Sequence, residues 1–158
     1  MNQLTTRRDL LIAGGLGILA SAGVVSTAAA KNVPPLTERE KANIKLVQEF
    51  IQAWNQKPVD IDKIVEKYFA PNATVRWTDD QPPAIGTAAA IAAAKAGMPP
   101  GSWAEIRLDN LFAKGQLVAT ARLDVIKIPG QPDQVFDTAG LHIIKDGKFI
   151  EYTDYVVK

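Results

Sequence analysis

Arg122, Asp124 and Asp154 are the side chains of this sequence whose types could do chemistry together. In "VATARLDVIKI", residues 118–128, strand alternation puts Arg122 and Asp124 on one face with Thr120, Ile126 and Ile128. Asp154 arrives in "IEYTDYVV", at the far end of a predicted hairpin. One guanidinium neutralises one buried carboxylate, so a second carboxyl beside it tends to keep its proton. Two carboxyls in unequal surroundings thereby divide into an acid and a base near neutral pH, a set suited to activating water. The same Arg–Asp pair on a solvated strand face would be an ion pair worth ~0–1 kcal/mol. The strand pattern by itself leaves both readings open.

Other chemistries are thinned out by composition. With no cysteine, neither a disulfide nor a thiolate metal site can form. The single histidine, His142, argues against a zinc site. The work would fall to carboxylates, Arg, Tyr, hydroxyls and water, and neither a metal nor an organic cofactor is expected.

The first thirty residues read as an export signal. "TTRRDLL" carries Arg7-Arg8, an apolar run "LLIAGGLGILASAGVV" follows, and "STAAAK" offers a small-residue cleavage site after Ala30. The paired arginines point to the twin-arginine route and a periplasmic or secreted product. The run is short and rich in Gly and Ala for a spanning helix, which needs ~20 apolar residues. Residues 31–158 would form one domain. Setting Arg7, Arg8 and Asp9 aside from 18 basic and 17 acidic side chains leaves it near neutral. No electrostatic reason then exists to expect nucleic acid or a membrane surface as partner.

The elements that must position the three residues follow from periodicity. "LTEREKANIKLVQEFIQAWNQ" opens on Thr37 and Glu40, a capping box, and continues with an apolar stripe through Ile44, Val47, Phe50, Ile51 and Trp54. A second helix starts at Asp60 and ends before Pro71. "ATVRW" reads as a strand and "TDDQPPAIG" as a loop. "TAAAIAAAKAG" reads as a helix capped by Thr87 and stopped by Gly97, its alanines packing on a sheet and not on a ligand. From "SWAEIRLDNLF" onward come strands, the last two joined by the Asp146-Gly147 turn. The order describes an α+β domain with helices on one curved, mostly antiparallel sheet.

The turn allows a register. A two-residue loop pairs Lys145 with Lys148 and, carried without interruption, Leu141 with Tyr152 and Ala139 with Asp154. Asp154 then sits on the apolar face, where a lone carboxylate needs a partner or a raised pKa. His142 falls on the polar face with Tyr155, as a solvated or interface residue. On the neighbouring hairpin, a bulge near Gly115 would bring Asn110, Leu108 and Ile106 opposite Arg122 and Asp124.

"AWNQKPVDIDKIVEKYFAPNATV", the Pro-Pro-x-x-Gly loop before a helix, "ATARLDV" and "DGKFIEYTDYV" resemble the SnoaL-like branch of the NTF2-like superfamily, and within it the limonene-1,2-epoxide hydrolases. The resemblance spans residues 31–158. It implies a cone-shaped curved sheet wrapped by three N-terminal helices around an apolar pocket, with a small apolar epoxide as substrate and a homodimer as a possible assembly. By the same resemblance, Arg122-Leu-Asp124 matches the family's Arg-x-Asp, and Asp154 its later Asp. Asp154 would be the general base, Asp124 the general acid, and Arg122 would lie between them. The family's water-positioning Tyr-x-Asn aligns with Arg76 and Thr78, a departure, and Tyr152 is a further candidate for positioning water or substrate. A ketosteroid-isomerase-like base would fall at Trp77, which is none. A cyclase would want an Asp–His pair, which the polar-face placement of His142 denies. The remaining alternative is a non-catalytic pocket that binds a ligand through Arg122.

Overall fold

Thr37 and Glu40 cap each other as the sequence predicts. In the computed structural model, which describes Pro34–Val157, the Thr37 N–H donates to Glu40 Oε2 at 2.8 Å, and the Glu40 N–H to Thr37 Oγ1 at 3.2 Å. They open α1 (Glu38–Trp54), whose buried stripe includes Val47, Phe50, Ile51 and Trp54. Asp60 caps α2 (Ile61–Tyr68) by accepting from the Lys63 N–H. The remaining elements are β1 (Phe69–Arg76), β2 (Ala84–Ile85), α3 (Thr87–Gly97), β3 (Trp103–Lys114), β4 (Leu117–Lys127), β5 (Gln134–Lys145) and β6 (Lys148–Val157). From Pro35 onward they make one compact unit.

The strands form one unclosed sheet in the order β2-β1-β6-β5-β4-β3. All neighbours are antiparallel except β1 and β6, which run parallel. The α+β expectation holds, with two differences. Ala84–Ile85, read from sequence as loop, adds a short strand beside Thr74 and Val75. Thr87 is the first residue of α3 and not its cap; Gly86 precedes it with φ +83 and no side-chain cap.

Helix α1 is tied at both ends to the β3 side of the sheet. Glu40 Oε1 accepts the Gly115 N–H at 2.9 Å, while Asn43 donates to the Gly115 carbonyl at 3.0 Å. At the other end, Asn55 makes a two-way amide pair with the Ile106 backbone, 2.9 and 2.7 Å. The Gly115 N–H, and after it the Thr37 N–H and hydroxyl, push the Glu40 carboxyl down to about 2. A carboxyl held below its unfolded value adds stability that is complete above pH ~4.5 and lost as pH falls toward 2. Glu40→Gln is therefore expected to lower the melting temperature at pH 7, with a gap from wild type that narrows at pH 3 in thermal scans.

Two bulges decide which side chains face inward. In β6, Ile150 is the extra residue, because Ile144 pairs with Phe149 while Ile143 pairs with Glu151. In β3 it is Asp109, because Leu108 pairs with Arg122 while Asn110 pairs with Ala121. The first bulge overturns the uninterrupted register: Tyr152 lies opposite His142 and Asp154 opposite Gly140. His142 is accordingly buried at 1 % exposure, in the core and not on a polar face. The outer face instead carries Leu141 and Tyr155, both exposed. The second bulge places Leu108 and Ile106 opposite Arg122 and Asp124 as expected, but from Asp109 and not from Gly115, and Asn110 turns outward.

Candidate active site

Phe50 is the hub of an aromatic core that grips Tyr152. Its ring meets Tyr152 edge-on at 5.6 Å, Trp77 approaches the same ring at 5.3 Å, and His142 stacks on it at 4.4 Å and 19°. Held on three sides, Tyr152 can present its hydroxyl in one direction only. It donates to Asp154 Oδ2 at 2.8 Å. Burial pushes the phenol well above its usual pKa, so it remains a donor.

Arg122 reaches both carboxylates. Its Nε donates to Asp124 Oδ1 and Oδ2 at 2.9 and 3.0 Å, and its Nη2 donates to Asp154 Oδ2. The guanidinium and the two carboxyls retain 4 %, 14 % and 7 % side-chain exposure, so the solvated ion-pair reading falls away. Asp154 Oδ1, in contrast to Oδ2, has no hydrogen-bond partner among the described residues. Burial raises the Asp154 carboxyl to about 6 even though Arg122 pulls it down. It is thus poised close to neutrality, where a proton acceptor is most effective.

Arg122, Asp124, Tyr152 and Asp154 all line a cavity of about 310 Å³. Much of the remaining wall is apolar, with Trp54, Trp77, Ile106, Ile126, Phe136 and Val156 prominent. Such apolar walls strengthen the charges at one end of the space. Ala93, Ala94 and Gly97 of α3, and Met98 just after it, also border the space. The alanine-rich helix expected to serve packing alone is therefore part of the cavity wall, because its small side chains leave open space beside them.

The two early-strand candidates separate. Thr78 lines the cavity, with its hydroxyl donating to Asp80 at 2.7 Å. Arg76 does not line it. Arg76 is in register with Thr153, one residue from Asp154 and on the opposite face, so it brings no second guanidinium to the carboxyls. Trp77, passed over in the sequence, takes the inward place and fixes its indole by donating to the Ala90 carbonyl at 2.9 Å. An aromatic between two polar residues at a strand end was the available signal. Among the described residues, no three His, Cys, Asp or Glu side chains are grouped as a metal ion would need.

No protein-family model and no curated protein matches the sequence. The fold does match solved structures. An LEH-like epoxide hydrolase of M. tuberculosis superposes with a TM-score of 0.64 at 19 % identity, over 75 % of this chain and 84 % of that one. A candidate SnoaL-like polyketide cyclase from Jannaschia sp. CCS1 gives 0.65 at 15 % identity, over 78 % and 91 %. The epoxide hydrolase/cyclase-like enzyme SalBIII, of pyran ring formation in salinomycin, gives 0.64 at 20 % identity, over 77 % and 95 %.

Proposed function

On the SnoaL-like, NTF2-like fold that this chain adopts, we propose a hydrolase that adds water to a small apolar epoxide, with Asp154, Arg122 and Asp124 as its acid–base set. The observation that carries the reading is the division of Asp154: Oδ2 takes two donors, while Oδ1 is buried and unpartnered among the described residues. A water oxygen seated between Oδ1 and an epoxide carbon would satisfy it. Asp154 takes a proton from that water as its oxygen bonds to carbon. The carbon–oxygen bond of the ring breaks, and the ring oxygen receives a proton from Asp124. The product is a diol. Asp154 is left protonated and Asp124 ionised, and one proton passing back from Asp154 to Asp124 restores the site. Its net charge is unchanged throughout, which suits an apolar chamber. Acid–base assistance of this kind contributes ~10²–10⁴-fold.

Arg122 already donates to two carboxyl groups, which disfavours the alternative of a carboxylated ligand held by that guanidinium. The Arg7-Arg8 pair and the apolar run after it favour export by the twin-arginine route; those residues lie outside the described part of the structure.

Incubation with cyclic and terpene-like epoxides in oxygen-18 water, followed by mass analysis, is expected to yield singly labelled diol. The rate should fall below pH about 6, as Asp154 protonates and ceases to accept. No diol from a broad panel would sink the reading, and a ligand-induced thermal shift without turnover would leave the binding pocket in its place.

A further inference from the structure

Both donors to Asp154 Oδ2 are backed by one residue outside the cavity wall. His142 is buried, and its ring stacks on Tyr152 at 4.4 Å. Its Nε2 lies 3.4 Å from Thr120 Oγ1, which in turn accepts from Arg122 Nη1 at 3.4 Å. With that oxygen engaged by Arg122, the threonine hydrogen is free to turn to the imidazole nitrogen. One branch from His142 reaches Arg122 through Thr120, the other reaches Tyr152 directly, and the branches converge on the same carboxylate oxygen.

The backbone is hollowed out for this arrangement. A Cβ on Gly140 would stand 2.5 Å from Thr120 Oγ1 and 2.6 Å from both Cε1 and Nε2 of His142. Only glycine clears the pair. Burial and the facing Arg122 lower the imidazole to about 3, so His142 stays uncharged and does not compete for the protons of the carboxyls. A phenylalanine would fill the same volume and stack as well without the desolvation cost of two ring nitrogens. With the proton on Nδ1, the imidazole adds an acceptor, Nε2, toward Thr120 Oγ1.

We infer that His142, acting through the Thr120 hydroxyl and the Tyr152 ring, is a positioning residue that fixes Arg122 and Tyr152 on Asp154 Oδ2 and so keeps Oδ1 aimed at the attacking water. This rests on the hydrolase reading above.

The full chain carrying Thr120→Val, Thr120→Ser, His142→Phe or the Val/Phe pair tests it. Thr120→Val is expected to lower kcat about tenfold with KM within about twofold, and Thr120→Ser to recover kcat to within about twofold. His142→Phe keeps the stack and loses the acceptor, so it should match Thr120→Val. The double variant should be no slower than the worse single one, because both changes cut one link. Wild-type kcat in either single variant, multiplying losses in the double, or a loss confined to KM or to the melting temperature would overturn the inference. Solvent exchange of the Arg122 Nη1–H, the group that meets Thr120 Oγ1, followed by NMR, reads the same link without turnover and is expected to be about tenfold faster in both single variants. If the wild type makes no diol, the hydrolase reading falls by itself. Exchange unchanged in both variants then overturns the positioning role too, whereas faster exchange retains it for whatever the cluster serves.

Discussion

Asp154→Asn is expected to leave a folded protein that forms diol ~10²–10⁴-fold more slowly than wild type, the span of one acid–base group. The amide is nearly isosteric with the carboxyl. Its oxygen can take the place of Oδ2 and accept from Arg122 and Tyr152, which sends the NH₂ group to the place of Oδ1. A donor then stands where the mechanism needs an acceptor. Arg122 keeps its hydrogen bonds to Asp124. The same substitution has a signature in stability. Burial raises Asp154 to about 6, above its unfolded value of 3.8. The ionised group therefore costs the folded state nothing below pH ~4, progressively more up to pH ~6, and its full amount above that. Relative to wild type, the variant should gain on the order of 1–3 kcal/mol between pH 4 and pH 7 in urea unfolding. Undiminished turnover would remove Asp154 from the mechanism, and a stability difference independent of pH would contradict its burial.

What was legible in the sequence was set by interactions close along the chain. The capping box at Thr37 and Glu40, the stripe from Val47 to Trp54 and the Asp146-Gly147 turn are short-range signals, and each is found where its residues predict. The site triad was legible because Arg122 and Asp124 contradict the alternation around them. Register was less secure. A period of two assigns faces only until a bulge, and Ile150 is an apolar residue with nothing to mark it as one. Asp154 was placed inward correctly because the predicted and observed registers differ only in which face of β5 it meets. His142, on that other strand, was therefore misplaced, and the support behind the cluster went unseen. In β3 the bulge was anticipated, but Gly115 drew it to the turn, and Asp109 carries it instead. The cavity side of α3 depends on contacts between α3 and the sheet, which no local pattern encodes.

Arg122→Ala is the substitution that should hurt both the fold and the reaction. The side chain keeps 4 % of its exposure and is shared by two carboxyls that are themselves largely buried. Removing one partner of such a set typically costs ~3–5 kcal/mol, because charges are left without compensation in a poor solvent. Here the loss should depend on pH in a defined sense. Without the guanidinium, the pull that Arg122 exerts on Asp154 is gone, and burial alone drives that carboxyl above about 6. A carboxyl whose folded pKa lies above its unfolded one destabilises the native state as pH rises, so the variant should be closest to wild type near pH 4 and furthest from it at pH 7. Arg122→Lys separates charge from geometry. An ammonium restores a positive charge, yet one nitrogen cannot hold Asp124 through Nε and also reach Asp154 through Nη2, as the guanidinium fork does. It should recover part of the stability at pH 7 and little of the diol formation. Urea unfolding at pH 4 and pH 7 beside the oxygen-18 assay distinguishes these outcomes. A loss below about 0.5 kcal/mol in Arg122→Ala at pH 7 would mean that the cluster is solvated and that its carboxyls are equivalent, in which case Asp154 has no physical reason to act as the base.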